Sequence, residues 1–95
     1  MQKDTVVNAL RTKLVPNAYT NREDGHNRAV LAAMSMVSNS YRYQPELSDT
    51  ERLKDWVGRL SCKTKKDKTP ASQGYNEGLR DALAVLARFE MEVYV

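Results

Sequence analysis

The stretch that decides the fold is TPASQGYNEGLRDALAVLARFEMEV, residues 69–93. Its apolar residues recur at alternating intervals of four and three, which is the repeat of a helix that packs along a single seam. They are Tyr75, Leu79, Ala82, Leu86, Phe89 and Val93. Thr69 is a favourable N-cap and Pro70 suits the first helical position, so the pattern predicts a helix over residues 70–92.

The beginning of the chain carries a shorter segment with the same helical periodicity. Its apolar residues are Val6, Val7, Leu10 and Leu14. Pro16 cannot continue a helix, so a first helix is predicted over residues 4–15. Strand-like alternation is absent until the last few residues, and the chain is therefore predicted to be all-α.

Two capping boxes mark the starts of the two remaining helices. Glu23 follows Thr20 at the third position, and Glu51 follows Ser48 at the same spacing. In each pair the hydroxyl and the carboxylate accept hydrogen bonds from backbone N–H groups at the helix start. The predicted helices cover residues 21–40 and 49–61, and a basic loop over residues 62–69 precedes the fourth helix.

The four helices predict a single helical domain, residues 1–95, built as an up-down-up-down four-helix bundle of two helical hairpins. A chain of 95 residues is typical of one domain, and short connections make successive helices antiparallel. Two long and two short helices leave parts of the long seams uncovered. A homodimer through helix 70–92, including an intertwined one, is therefore an alternative.

The two halves of the sequence resemble each other at an offset of 49 residues. Gly25-His26-Asn27 aligns with Gly74-Tyr75-Asn76. The apolar seam positions 26, 30, 33 and 37 fall on 75, 79, 82 and 86, and a short helix precedes each long one. Both an ancient duplication and two unrelated helices that use the same seam pattern fit this resemblance.

The composition argues against disulfides and membrane insertion. The single cysteine, Cys62, allows no intramolecular disulfide, which fits a reducing compartment. The longest apolar runs have only six residues, far short of the ~20 residues of a membrane span. Met1 is not followed by an apolar leader. We therefore expect a cytoplasmic protein with no membrane partner.

Neither catalysis nor metal binding is indicated. His26 is the only histidine, and it lies on the inner seam of the second helix, where a packing role is more usual. A metal site needs several convergent Cys, His or carboxylate ligands. A thiol nucleophile at Cys62 would need an oriented base, for which His26 is the only conventional candidate. No enzymatic activity, metal or cofactor is expected.

Positive charge is concentrated in residues 52–68. Basic residues there are Arg52, Lys54, Arg59, Lys63, Lys65, Lys66 and Lys68, and acidic ones are Asp55 and Asp67, a balance of +5 against +3 for the whole chain. In the predicted bundle the first and third loops share one end with the N-termini of helices two and four, which attract anions. The residues expected there to bind a partner or phosphates are Lys13, Tyr19, Arg22, Arg59, Lys63, Lys65, Lys66 and Lys68.

Two functions are compatible with this cationic end. The first is a non-enzymatic inhibitor, adaptor or regulator that docks on an acidic surface of a partner protein. Met34, Met36 and Trp56 are candidate apolar anchors for such docking, although the helical pattern favours a core position for each. The alternative is a nucleic-acid-binding protein that uses the same residues on phosphates. The aromatic-basic stretch at residues 41–43 suits base stacking, but it is expected ~20 Å or more from the lysines, at the opposite end of the bundle.

In its general character the chain is similar to small accessory proteins of tailed bacteriophages. The features that carry this likeness are the short length, the all-helical pattern and the lack of catalytic motifs. Many such proteins bind and redirect host factors, so the resemblance implies a protein partner and, for a phage-encoded chain, the host cytoplasm.

Overall fold

The computed structural model describes residues 1–94, which form four α-helices and no strand. The helices are α1 (Lys3–Arg11), α2 (Asn21–Tyr43), α3 (Asp49–Ser61) and α4 (Pro70–Val93). They fold into a body of 38 × 26 × 26 Å. The prediction of an all-α four-helix fold is confirmed.

The two long helices, α2 and α4, lie side by side at the centre and run in the same direction. A Cβ atom at Gly25 would overlap the backbone of Ala71, and one at Gly74 would overlap the carbonyl oxygen of Arg22. Glycine, which lacks a Cβ, permits this close approach of two backbones. Since both helices start at the same end, the loops that precede them also lie at that end, as the bundle topology predicts.

An approximate two-fold axis relates the two halves. Gly25 contacts Ala71, and Gly74 contacts Arg22. These two contacts are equivalent, because Gly74 lies 49 residues after Gly25 and Ala71 lies 49 residues after Arg22. Thr20 and Thr69, which are also 49 residues apart, cap α2 and α4. Two unrelated helices with the same apolar seam would not need to share these threonine caps and glycine contacts.

The core lies between the long pair and the two short helices. α1 packs mainly on α2, and α3 packs mainly on α4, so each short helix covers the long helix that follows it in the chain. The largest fully buried side chains are Trp56, Leu10, Leu53, Leu60, Leu86, Val6, Val30, Val37 and Val85.

Two helix ends differ from those predicted. α1 ends at Arg11 instead of Val15, because Asn27 binds both the N–H (2.8 Å) and the C=O (2.9 Å) of Val15 and so draws this peptide out of the helix. The residue before a proline is also disfavoured in the α conformation. α2 continues past residue 40 to Tyr43, and the ring of Tyr41 packs 5.9 Å from that of Trp56.

Trp56 and Arg52, both on α3, are buried. Trp56 is fully buried, which agrees with a core position and leaves no exposed ring to anchor a partner. Arg52 is 3% exposed and donates to Ser40 Oγ (2.9 Å) and to the carbonyl oxygen of Pro45 (3.1 Å). Its guanidinium lies 4.1 Å from the centroid of the Tyr41 ring. Arg52 therefore connects α3 to the end of α2 and does not contribute to a cationic surface.

The middle of the apolar seam of α4 is buried within the chain, whereas Tyr75 and Val93 at its ends are partly exposed. Leu79, Ala82 and Leu86 are each at most 2% exposed and belong to the core. A homodimer that uses the middle of this seam would thus require two copies to exchange helices.

Candidate cationic interface

The basic loop, residues 62–69, is exposed and yet anchored to α4. The side chain of Asn76 accepts a hydrogen bond from the N–H of Lys65 (2.8 Å) and donates one to its C=O (3.0 Å). The carboxylate of Asp67 accepts from two hydroxyls at the start of α4, at 2.8 and 2.7 Å. These bonds fix the path of the loop at two points. The hydrogen bonds from the Ser72 and Thr69 hydroxyls also hold the pKa of Asp67 below its ordinary value.

The four lysines of this loop carry charge that the rest of the described chain does not neutralise. Lys63, Lys65, Lys66 and Lys68 are all exposed. Among residues 1–94, no carboxylate lies within ion-pair distance of their ammonium groups. The ammonium of Lys65 lies 5.0 Å from the centroid of the Tyr75 ring, a cation–π geometry that leaves its charge in place.

Both arginines predicted for the interface are engaged in ion pairs. Arg22 pairs with Glu77 across the α2–α4 interface, and this hydrogen bond lowers the pKa of Glu77 and raises that of Arg22. Arg59 Nε lies 3.3 Å from Asp55 Oδ1 on the same helix. The lysines at this end, and not these arginines, therefore carry its unpaired charge.

The first loop lies at the same end but is anchored on the other long helix. Asn27 on α2 holds Val15 just as Asn76 on α4 holds Lys65. On this loop Lys13 is half-buried, whereas Tyr19 is 93% exposed. The two loops thus flank the paired helix starts, and Lys13 and Tyr19 are candidates for the margin of the surface.

The chain's own side chains already occupy part of each helix N-terminus. The hydroxyl of Thr20 accepts from the N–H of Glu23, and that of Thr69 from the N–H of Ser72. The Glu23 carboxylate in turn accepts from the N–H of Thr20 (3.1 Å), and this bond lowers its pKa. The helix starts consequently offer an external anion fewer free donors and a smaller positive field than the sequence suggested.

The tyrosines at the opposite end do not join this surface. Tyr41 packs against the core, while Tyr43 is 67% exposed beside Arg42, whose guanidinium lies 5.3 Å from its ring centroid. About 20 residues of α2 separate them from the helix start that lies beside the lysines, a distance of about 30 Å along the helix. Stacked bases on these tyrosines and phosphates on the lysines would therefore need a long, extended nucleic acid.

Asn76 and Asp67, which anchor the basic loop, are the residues of this candidate surface that the sequence did not predict. The sequence did hold a signal for Asn76, since the Gly-x-Asn pattern occurs at the start of both long helices. The sequence held no such signal for Asp67, because an acidic residue among lysines indicates only a slightly smaller positive charge of the loop.

The groups considered for chemistry are dispersed. Among residues 1–94, no three His, Cys, Asp or Glu side chains converge as metal ligands. His26 is buried, and its Nε2 lies 2.7 Å from Asp81 Oδ2. Cys62 is exposed at the C-cap of α3. Within the same described range, no helix has both the length and the apolar character needed to cross a membrane.

Comparison of the chain with protein-family models, with curated proteins and with solved structures gave no match. The function proposed below accordingly rests on the residues of the cationic end and on their geometry.

Proposed function

We propose that this chain is a small non-enzymatic binding protein that docks on an acidic surface of a partner protein through the basic loop. The observation that supports this most is the set of four exposed lysines without carboxylate partners on a loop that Asn76 holds in place. Complementary charge speeds association and orients the partner. A fixed loop also loses less conformational entropy on binding than a mobile one.

The test is affinity capture with a loop-reversed bait, in which Lys63, Lys65, Lys66 and Lys68 are all replaced by Glu. Exposed charge pairs contribute about 0.2–1 kcal/mol each, and charge reversal adds repulsion of several kcal/mol to the loss of four pairs, so binding should weaken at least about tenfold. The measurement is the isotope ratio of captured proteins between the wild-type and loop-reversed baits, in lysate treated with nuclease.

A matched control bait reverses four exposed bases elsewhere, Lys3, Arg42, Arg80 and Arg88, and so has the same net charge. The partner should stay bound to the control bait. Equal loss from both reversed baits would contradict a specific role for the loop, because net charge alone would then explain capture.

Nucleic-acid binding by the same lysines is the alternative function, since an unpaired ammonium is suited to a phosphate as well as to a carboxylate. The wide separation of the tyrosines from the lysines counts against it. A gel shift with duplex and single-stranded DNA and RNA at two salt concentrations distinguishes the two. Binding in the micromolar range at low salt that decreases steeply with added salt would favour nucleic acid.

A further inference from the structure

A groove opens between α2 and α3 directly beside the basic loop. It is open to solvent and has a volume of about 990 Å³, and most of its exposed surface is apolar. Met36, which is 9% exposed, lies in the part of the groove that α2 contributes. Residues of α3 and of the loop start form the opposite side.

The groove carries a positive rim. Lys54, Arg59 and Lys63 line it, and the acidic lining residue, Asp55, is already paired with Arg59. Among residues 1–94, neither Lys54 nor Lys63 forms an ion pair. Lys63 belongs to both the groove and the basic loop, so the two form one continuous surface.

The equivalent groove in the other half of the fold is much smaller. The cleft between α1 and α4 encloses about 160 Å³ and is lined in part by Phe89, which is 9% exposed. The residue 49 positions earlier is Ser40, a much smaller side chain that bonds to Arg52. The approximate symmetry is therefore broken by an opening on the side where the lysines lie.

Gly58 has no structural explanation within the free chain. It is exposed in the middle of α3, and a Cβ atom there would have nothing within 4 Å. Glycine in a helix interior costs about 1 kcal/mol relative to alanine. The close approach of another backbone accounts for Gly74, and a partner backbone lying in the groove would account for Gly58 in the same way.

We propose that the groove receives an amphipathic helix of the partner protein whose apolar face covers Met36 and Gly58 and whose flanks are acidic. This inference rests on the proposed function and names the part of the partner that is bound. The lining residues span 32–39 on α2, so a contact of about two helical turns fits the groove. A helix suits a channel between two antiparallel helices, and acidic flanks complement Lys54 and Lys63.

The first test uses synthetic peptides of about 18 residues, long enough to be partly helical, with leucines spaced as one helical stripe. One peptide has glutamates on its flanks and a second has lysines. In ¹⁵N spectra of the full chain, the acidic peptide should shift amides of residues 32–39 and 54–63. Shifts confined to residues 63–68, no shifts at all, or equal binding of the lysine peptide would overturn the inference.

The second test fills the groove. Gly58→Trp should weaken binding of the acidic peptide, and of the captured partner, at least about tenfold, because an indole would occupy the space of the helix. Ala84→Trp, at an exposed α4 position outside the groove, is the matched control and should leave both unchanged. Circular dichroism melts establish that both variants are folded.

The outcomes separate this inference from the proposed function. Loss of the partner from the loop-reversed bait but not from Gly58→Trp would overturn the groove inference and keep the proposed function. Retention by the loop-reversed bait would contradict the proposed function itself. If sedimentation shows self-association that Gly58→Trp abolishes, the occupant is a second copy of this chain, and the inference is overturned.

Discussion

At the scale of single residues, glycine sets the distance between the two long helices. The backbone of α4 at Gly74 lies against the backbone of α2 at Arg22, so the position has no room for even one extra carbon. Gly58 has the same helical surroundings but faces open space. Substitution of Gly74 therefore tests the packing role of a glycine, whereas substitution of Gly58 tests only its effect on helix propensity.

Gly74→Ala should destabilise the protein. Overpacking typically costs about 1–3 kcal/mol, and a backbone atom cannot move aside as a flexible side chain can. For a domain of this size, each kcal/mol corresponds to about 4–8 °C in melting temperature. Thermal melts followed by circular dichroism should thus show a clear decrease.

Gly58→Ala is the matched control and should raise the melting temperature by a few degrees, because alanine is the better helix former by up to about 1 kcal/mol. An increase for both variants would contradict the close approach of α2 and α4.

At the scale of elements, the sequence predicted what depends on local pattern. The capping boxes at Thr20 and Ser48 form as expected, because each needs only residues three positions apart. The end of α1 was not predictable in this way. It depends on Asn27, whose side-chain amide binds the backbone of Val15, 12 residues away in the sequence. A single hydrogen bond between distant residues produces no periodic pattern from which it could be predicted.

Asn76→Ala should release the basic loop without unfolding the helices. The N–H of Lys65 would lose its acceptor, so its hydrogen exchange should become faster, while the N–H of Val15 should stay protected. Asn27→Ala should have the reverse effect. Each lost hydrogen bond costs about 0.5–1.5 kcal/mol, so both variants remain folded. Equal exchange at both amides in either variant would contradict the anchoring of each loop by its own asparagine.

At the scale of the whole molecule, the sequence predicted the four helices and the shared end of the two loops, but not which cations are free. Arg22 and Arg59 are paired and Arg52 is buried, and these outcomes depend on contacts between elements. The groove was also not predictable, since it depends on how far α3 stands from α2 in the folded state.

Acid should destabilise the fold below the ordinary carboxyl range. Four carboxylates have lowered pKa values because they accept hydrogen bonds in the folded state. Thr20 donates to Glu23 and Ser48 donates to Glu51. Ser72 and Thr69 donate to Asp67, and Arg22 donates to Glu77. A carboxylate whose pKa is lower in the folded state than in the unfolded state stabilises the folded protein at any pH above its unfolded pKa. This stabilisation is lost as the pH falls through the folded pKa.

The melting temperature should accordingly change little between about pH 7 and pH 5 on account of these groups, and decrease progressively below about pH 4. Thermal melts across this range test the prediction. A melting temperature that rises on acidification would contradict the carboxylate bonds at the helix starts.

The central claim is that the four loop lysines bind an acidic protein surface, and calorimetric titration of the captured, purified partner tests it most directly. Wild type and the control variant should bind with similar Kd values, and the loop-reversed variant at least about tenfold more weakly. This difference should shrink at about 1 M salt, where the Debye length is only about 3 Å. Equal Kd values for all three proteins at low salt would contradict the claim.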